Sequence, residues 1–532
     1  MLASRFHWRL LVSTIVILMA AAFVVPRFVR PPDIQENRVL AERPAWPKRL
    51  QDIAAFRKAA DPYVADRFPI RPYLIGLLNR ARMLLGVSGS PRVIVGRQGW
   101  LFFDDGTHLG SARADPPMTG PEIRAWLLFM AGRTELLQAR GIPYLVVAAP
   151  VKETVYPRFG PAWYPGPSGR RATIALPKLV EAAQIGQVLY LHPTIAAATA
   201  RGEKTYSLHD THWTGYGAYA GYAALMRKLH GMGITDGPRP ITDFEMGAGD
   251  LVHAPRDLAL MLGVASFVDI DFPHIHDPRA EAKVRITYLT SRQDWTAPQI
   301  MDTGEVGKPV LLMTRDSFSN ELVPLLLSHF SRIILTHNQD GAWRDDLIDQ
   351  FKPDLVILEV VEQGLRVSMG DGPPASVAAT ARIDHALGVA MAADGAVVPG
   401  LKPPTPQVLA AMIGARPTPN CNLESARLTP GLKGEATLMV SGWLSELGAR
   451  ITAPEGLARL QGPGIDLAAP IRVDGSRPDV AKVFNNPNGE PSGFLDTYFI
   501  AGLPPGSYRA TVYRRAPGGW IACVGKQALV AP

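Results

Sequence analysis

The sequence predicts an α/β protein: a parallel sheet with helices on both faces, followed by a C-terminal β-sandwich and preceded by an N-terminal membrane-anchor helix. Three observations carry this expectation. From about residue 119, short apolar runs alternate with helix-periodic segments, the pattern of parallel strands joined by crossover helices. Beyond Asn420, apolar and polar residues alternate between Gly/Pro turns, as half-buried strands require. At the front, an uncharged run from Leu10 to Pro26 follows Arg5 and Arg9. With 47% hydrophobic and 19% charged residues, the chain can bury large cores and is not a disordered polymer.

The leading run of about 17 residues is at the short limit for a spanning helix and long for a signal-peptide core. Ala20, Ala21 and Ala22 resemble a cleavage site, but Phe23, Val24 and Val25 continue the apolar run beyond them. An uncleaved anchor is therefore the expectation, with a cleaved signal peptide as the alternative. Arg5 and Arg9 on the short leading segment orient the bulk of the chain outward.

After a Pro-rich charged loop, "PYLIGLLNRARMLLG" places Leu74, Leu77, Leu78, Ala81, Leu84 and Leu85 at helical spacing. "PRVIVGRQGWLFFDDG" reads as a hairpin turning at Arg97–Gly99. A helix then starts with Thr119 and Glu122 as a capping box and ends at Gly141. "IPYLVVAAP" and "QVLYL" are strands, separated by a helix in which Pro177 marks the start or a kink. A helix capped by Thr214 runs through "TGYGAYAGYAALMRKLHG". Later come strand "KPVLLMTRDSF", helix "SNELVPLLLSHF", strand "RIILTHN", helix "AWRDDLIDQF" and strand "PDLVILEVVE". The stretch between Gly231 and Val310 has no clear period and is taken as an insertion holding a short helix.

The expected organisation is a membrane anchor at 1–30 and an α/β domain at 31–405 with an insertion at about 232–305. A Pro-rich linker at 406–420 and a sandwich at 421–532 complete it. Cys421 and Cys523 are the two cysteines and lie at the two ends of the sandwich. In an oxidising compartment they would form a disulfide; two separate buried thiols are the alternative.

The net charge of +7 favours anionic partners, a polyanionic carbohydrate or an anionic membrane surface. No Lys/Arg run is interleaved with aromatics, so nucleic acid is not an expected partner. No Gly-rich phosphate loop or dinucleotide fingerprint occurs, so no nucleotide cofactor is expected.

Open parallel sheets place their sites at the carboxyl ends of strands. Ser317 falls there, between an apolar strand and a helix, where a hydroxyl and free helix amides meet. The competing reading is that Asp316, Ser317 or Ser319 merely caps the helix. A serine hydroxyl needs an imidazole to take its proton and a carboxylate to orient that imidazole. "SLHDTHWTGYGAY" supplies both: in an extended segment Asp210 and His212 project together, while His209 points elsewhere. A metal reading of this stretch with His274, His276 and Asp277 is disfavoured, because the latter three sit in a Pro-flanked segment read as an exposed loop. Lys152, Tyr156 and Asn338 follow strands and could border the same crevice, or be ordinary loop residues. Trp213 is expected to be core packing rather than a sugar platform.

"DTHWT" at Asp210–Thr214 and "RDSF" at Arg315–Phe318 resemble motifs of the alginate O-acetyltransferase family, extracytoplasmic enzymes with an SGNH-hydrolase-like domain. "ENRVLAERPAWP", "DRFPIRPYLI", "GRQGWLFF", "APVKETVYP", "GAGDLVHAPRDLALML" and "PDLVILEVVEQGL" are similar to stretches spaced along the same family, so the resemblance covers most of residues 31–365. It implies Ser317 as the acetyl-accepting nucleophile, His212 as general base and Asp210 as its orienting carboxylate. Arg315 departs from the pattern, since Gly commonly precedes the Asp-Ser pair; there it would hold an anionic substrate or the oxyanion, or be solvated. The C-terminal sandwich resembles the carbohydrate-binding module of some members only in position and type.

Three functions follow as expectations. The first is a periplasmic polysaccharide O-acetyltransferase, anchored to the inner membrane and working through an acetyl-serine. By the resemblance, a membrane-bound partner protein would deliver the acetyl group. The second is a carbohydrate acetylesterase using the same triad. The third is a non-catalytic, anchored glycan-binding or scaffold protein. Alginate, another exopolysaccharide and a cell-wall glycan all fit as the polymer.

Overall fold

The computed structural model describes residues 2–29, 39–247, 256–269, 272–339, 341–392, 400–430, 436–448 and 454–531. The charged stretch 30–38 and the part of the insertion at 248–255 lie outside the described residues.

The leading run forms one helix, Leu2–Phe28 (α1), long and apolar enough to cross a membrane, with a mean hydropathy of 2.2 over Leu11–Phe28. Helices Ile53–Asp66 (α2) and Arg71–Leu84 (α3) follow. The apolar stripe of α3 does not face the protein: Leu74, Leu77, Leu78 and Leu84 are exposed, and Gly76, Asn79 and Met83 are buried instead. The reason is local. A Cβ at Gly76 would stand 2.8 Å from the Phe267 ring, so only glycine lets that ring close in. Asn79 Nδ2 donates to the Leu262 carbonyl at 2.8 Å. The hairpin follows as Val93–Val95 paired antiparallel with Leu101–Phe103.

The main sheet contains Tyr144–Ala149 (β1), Val188–Tyr190 (β2), Arg285–Tyr288 (β3), Gln299–Asp302 (β4), Val310–Arg315 (β5), Arg332–His337 (β6) and Leu355–Val361 (β7). Their spatial order is β2-β1-β7-β5-β6-β4-β3. The first five are parallel. The insertion does more than hold a short helix: it adds β4 antiparallel to the edge at β6, and β3 antiparallel to β4. Pairing there removes an open row of backbone donors and acceptors, and β3, short and mostly exposed, ends the sheet.

Along β1, β5 and β6 successive side chains enter opposite cores. Leu145, Val147, Leu311, Met313, Ile333 and Leu335 join the core containing Leu225, Met226 and Leu229 of helix Gly215–Gly231. Tyr144, Val146, Leu312 and Ile334 join the other, with residues of Gly120–Ala139 (α4), Ala172–Ala183 (α5) and Val377–Ala392. Burial on both faces is why these strands read as unbroken apolar runs. The Thr119/Glu122 capping box forms as the spacing requires. Pro177 lies inside α5, which continues to a left-handed Gln184.

Residues 406–420, read as a Pro-rich linker, contain a helix and a short strand. Thr405 caps helix Pro406–Ile413, with Pro406 in its first turn, and Arg416–Pro417 pairs parallel with Ile521–Ala522. Beyond lie two mainly antiparallel sheets. One is built on Cys421–Pro430, Ala436–Leu444 and Pro491–Ile500; the other on Glu455–Gly462, Ile465–Arg472, Gly506–Ala516 and Gly519–Val524. Side chains along Ala436–Leu444 alternate strictly between buried and half-buried. Cys421 and Cys523, one on each sheet, are disulfide-bonded with Cα atoms 5.8 Å apart.

Candidate active site

Ser317 lies just past the carboxyl end of β5, on a turn held from several sides. Asp316 Oδ1 accepts from the Phe318 N–H at 2.9 Å and Oδ2 from the Val361 N–H at 2.6 Å. The Asp316 N–H donates to Glu359 Oε2 at 3.3 Å. Glu359 is fully buried in β7, and burial, with the adjacent Asp316 charge, pushes its carboxyl well above the usual range. The following helix, Ser319–Leu326, has Phe318 at its N-cap with no side-chain cap from that residue, and Asp316 holds its head through the Phe318 N–H.

His212 Nε2 lies 2.9 Å from Ser317 Oγ. Its Nδ1 lies 2.9 Å from Asp210 Oδ1, and its backbone N–H donates to the same oxygen at 2.8 Å. Asp210 and His212 converge through this tight Asx-type turn, not through extended backbone. The turn is closed by a bridge between Tyr206 and Trp213. Thr214 stands at the N-cap of the helix Gly215–Gly231 (α6), yet its hydroxyl donates to the Lys204 carbonyl instead of capping. Trp213 is fully buried, and its Nε1 donates to the Phe318 carbonyl at 2.9 Å, tying the imidazole loop to the serine turn.

Asp257 is the neighbour that sequence reasoning missed. Its N–H donates to Asp210 Oδ2 at 3.1 Å, its Oδ1 accepts from the Thr211 N–H at 2.7 Å, and its Oδ2 is 3.9 Å from His212 Nδ1. Burial and repulsion by Asp210 raise its carboxyl. The available signal was an acid opening the helical run "DLALML". Asp210, His212 and Asp257 carry donor atoms within 4.8 Å of one another, the spacing of a cation site. The hydrogen bonds already described use the same atoms to aim the imidazole at Ser317.

Lys152 lines the crevice next to Phe318, with its ammonium turned to the loop that carries the imidazole. It is buried, with Nζ donating to the carbonyls of Ser207 at 3.0 Å, Leu208 at 3.4 Å and Asp210 at 2.6 Å, so it clamps the loop carrying the imidazole. Burial lowers its ammonium to about 8, against the opposing pull of Asp210 and Asp257. Arg315 is also neither solvated nor aimed at the serine. Its Nη1 donates to Ser319 Oγ at 3.2 Å and Asn320 Oδ1 at 2.5 Å, and its Nη2 to the Trp295 carbonyl at 2.7 Å. A guanidinium under the turn thus braces it from the helix side. Asn338 follows β6, where its N–H donates to the Arg315 carbonyl at 2.7 Å; its Oδ1 is buried with no partner among the described residues.

The other histidines raised by the sequence, His209, His274 and His276, bond elsewhere. His209 Nδ1 is 3.1 Å from the Asp269 carbonyl. His274 is buried 2.9 Å from Glu321, His276 pairs with Glu281 at 2.9 Å, and Asp277 caps a short helix and pairs with Arg239. The segment read as an exposed loop is therefore packed, because each polar group in it meets an opposite charge or a backbone donor. The narrow crevice is lined by Lys152 and Glu153 together with Phe103, Val151, Thr211, Phe318, Val361 and Gln363.

Residues 93–342 match the family described as ALGX, SGNH hydrolase-like domain, acetyltransferase AlgX. The matched stretch contains Asp210, His212 and Ser317. No protein of curated function matches the chain. Among solved structures, the O-acetyltransferase domain of Pseudomonas putida AlgJ is 19% identical with a TM-score of 0.35, over 52% of this chain and 93% of that one. Pseudomonas aeruginosa AlgX is 12% identical with a TM-score of 0.25, over 80% and 95%. A DHHW family protein from Eubacterium siraeum is 14% identical with a TM-score of 0.36, over 56% and 98%.

Proposed function

We propose that this SGNH-like acetyltransferase domain transfers acetyl groups to a polysaccharide hydroxyl outside the cytoplasm, through an acetyl ester on Ser317. The observation that carries the reading is the unbroken relay Ser317 Oγ, His212 imidazole, Asp210 carboxylate, with both contacts at 2.9 Å. Ser317 Oγ attacks the acetyl carbonyl while His212 Nε2 takes its proton and then gives it to the departing group. A glycan hydroxyl, deprotonated by the same nitrogen, attacks the ester and the serine recovers its proton. Asp210 keeps the ring in the required tautomer and supports the imidazolium. The Ser317 N–H, with no partner among the described residues, is the proposed oxyanion donor.

A membrane-bound partner protein is proposed to supply the acetyl group, and α1 to hold the chain at the inner membrane, facing the periplasm. The net charge of +7 suits an anionic polymer. The test is intact and peptide mass spectrometry after incubation with p-nitrophenyl acetate, expecting one acetyl on Ser317 and none in Ser317→Ala. Undiminished transfer by Ser317→Ala would end the proposal. Free acetate without glycan acetylation, in the presence of acceptor, would assign the same relay to an acetylesterase.

A further inference from the structure

We propose that α3 lies in the membrane–water interface, with Leu74, Leu77, Leu78 and Leu85 inserted among the lipid acyl chains. The inference rests on reading α1 as a membrane-spanning anchor. Its basis is a helix whose apolar stripe faces away from the protein. Leu74, Leu77, Leu78, Ala81 and Leu85 recur at helical spacing, and all of them are exposed. The other side of α3 is already occupied by Phe267 against Gly76 and by the Leu262 carbonyl on Asn79. Leucines at helical spacing on an open face need an apolar cover.

Contacts to α1 identify that cover. Tyr73, in the first turn of α3, donates its hydroxyl to the Val29 carbonyl just past the end of α1. Phe68, in the turn between α2 and α3, meets the Phe23 ring edge-on at 5.9 Å. Phe23 precedes Phe28, the end of the apolar window, by five residues, which on a helix is about 7.5 Å. The turn before α3 is thereby held at the depth, about 5–10 Å, where interfacial amphipathic helices bury their apolar faces, and Tyr73 at the edge of the apolar window. Exposed Arg82, one turn after Leu78, flanks the stripe, and Arg57 and Lys58 are exposed on α2, where anionic headgroups would meet them. The face is continuous with the anchor, so the committed occupant is the bilayer.

The two native cysteines are bonded to each other, so an introduced cysteine is a unique thiol for labelling. Full-length Leu78→Cys, Leu85→Cys, Ile15→Cys and Val483→Cys variants, each carrying an environment-sensitive fluorophore, are reconstituted in phosphatidylcholine/phosphatidylglycerol vesicles. Quenching by lipids brominated at shallow or deep acyl positions is then measured. The expected result is strong shallow quenching at 78 and 85, deep quenching at 15 and none at 483. Quenching at 15 with 78 and 85 left in water overturns the proposal and leaves the anchor standing. Loss of quenching at 15 as well overturns the anchor reading and the proposal with it. Shielding of 78 and 85 only on adding a membrane protein assigns the face to that partner and equally overturns the lipid assignment.

Discussion

His212 Nε2 and Ser317 Oγ lie 2.9 Å apart although 105 residues separate them in sequence. In the proposed mechanism, general-base catalysis through that contact is worth about 10²–10⁴ in rate. His212→Ala should lower kcat/KM for acetyl transfer by that factor, and Ser317→Ala should reduce it to background, with circular dichroism unchanged. Asp210→Ala should act on kcat more than on KM, because its role is to orient the ring.

Lys152 holds three carbonyls of the loop that carries Asp210 and His212. Lys152→Met leaves them without that donor in a buried place, a cost of about 3 kcal/mol in stability. Activity should fall mainly in kcat, as the imidazole loses its fixed aim. Denaturant titration and steady-state kinetics on the same preparation check both.

Glu153, buried next to Lys152, is pushed up to about 8 by desolvation, against 4.5 for an ordinary glutamate. Between those values the folded state binds the proton that the unfolded state has lost. This residue therefore lowers stability as pH rises from about 4.5 to about 8. Glu153→Gln should flatten that part of the profile, measured as Tm against pH. An unchanged slope would show that the carboxyl is ionised throughout.

Arg315 braces the serine turn through Ser319, Asn320 and the Trp295 carbonyl. Arg315→Met should cost about 1.5–3 kcal/mol, the range for hydrogen bonds to a charged group. If the guanidinium only braces, kcat falls and KM for an anionic glycan stays put. A rise confined to KM would assign it to substrate binding instead.

The bond between Cys421 and Cys523 closes a loop of 102 residues. Chain entropy alone puts its contribution at about 4.7 kcal/mol for a loop near that length. Cys421→Ser with Cys523→Ser should lower the unfolding transition of the two C-terminal sheets, read by calorimetry.

Strands buried on both faces, such as Tyr144–Ala149 and Leu355–Val361, were legible because a near-continuous apolar run that short suits a strand covered from both sides. Ser317 was legible from its corner, and His212 with Asp210 from their adjacency and from the family resemblance. Three things were not. Arg315 and Lys152 were read as bordering the site or solvated, because sequence marks them as charged and cannot report that their charged ends bond within the two loops. Asp257 comes from a distant segment, and its position as the acid opening "DLALML" does not say what that acid meets. The leucines of α3 have the spacing of a core-facing stripe, and period alone does not say which side of a helix the protein occupies.

Phe499, in the C-terminal sheet pair, is buried in the same cluster as Trp126, Met130 and Ile383 of the α/β part, and the Phe499 carbonyl accepts from the Leu401 N–H at 3.1 Å. Arg472 reaches Asp115 across the same boundary at 3.3 Å. A shortened protein ending before residue 420 would strip this aromatic lid and leave a greasy surface open to self-association. Dissecting the two halves therefore calls for replacing the lid, for instance with polar substitutions on the uncovered helix face, before either fragment is asked to behave as a free-standing unit.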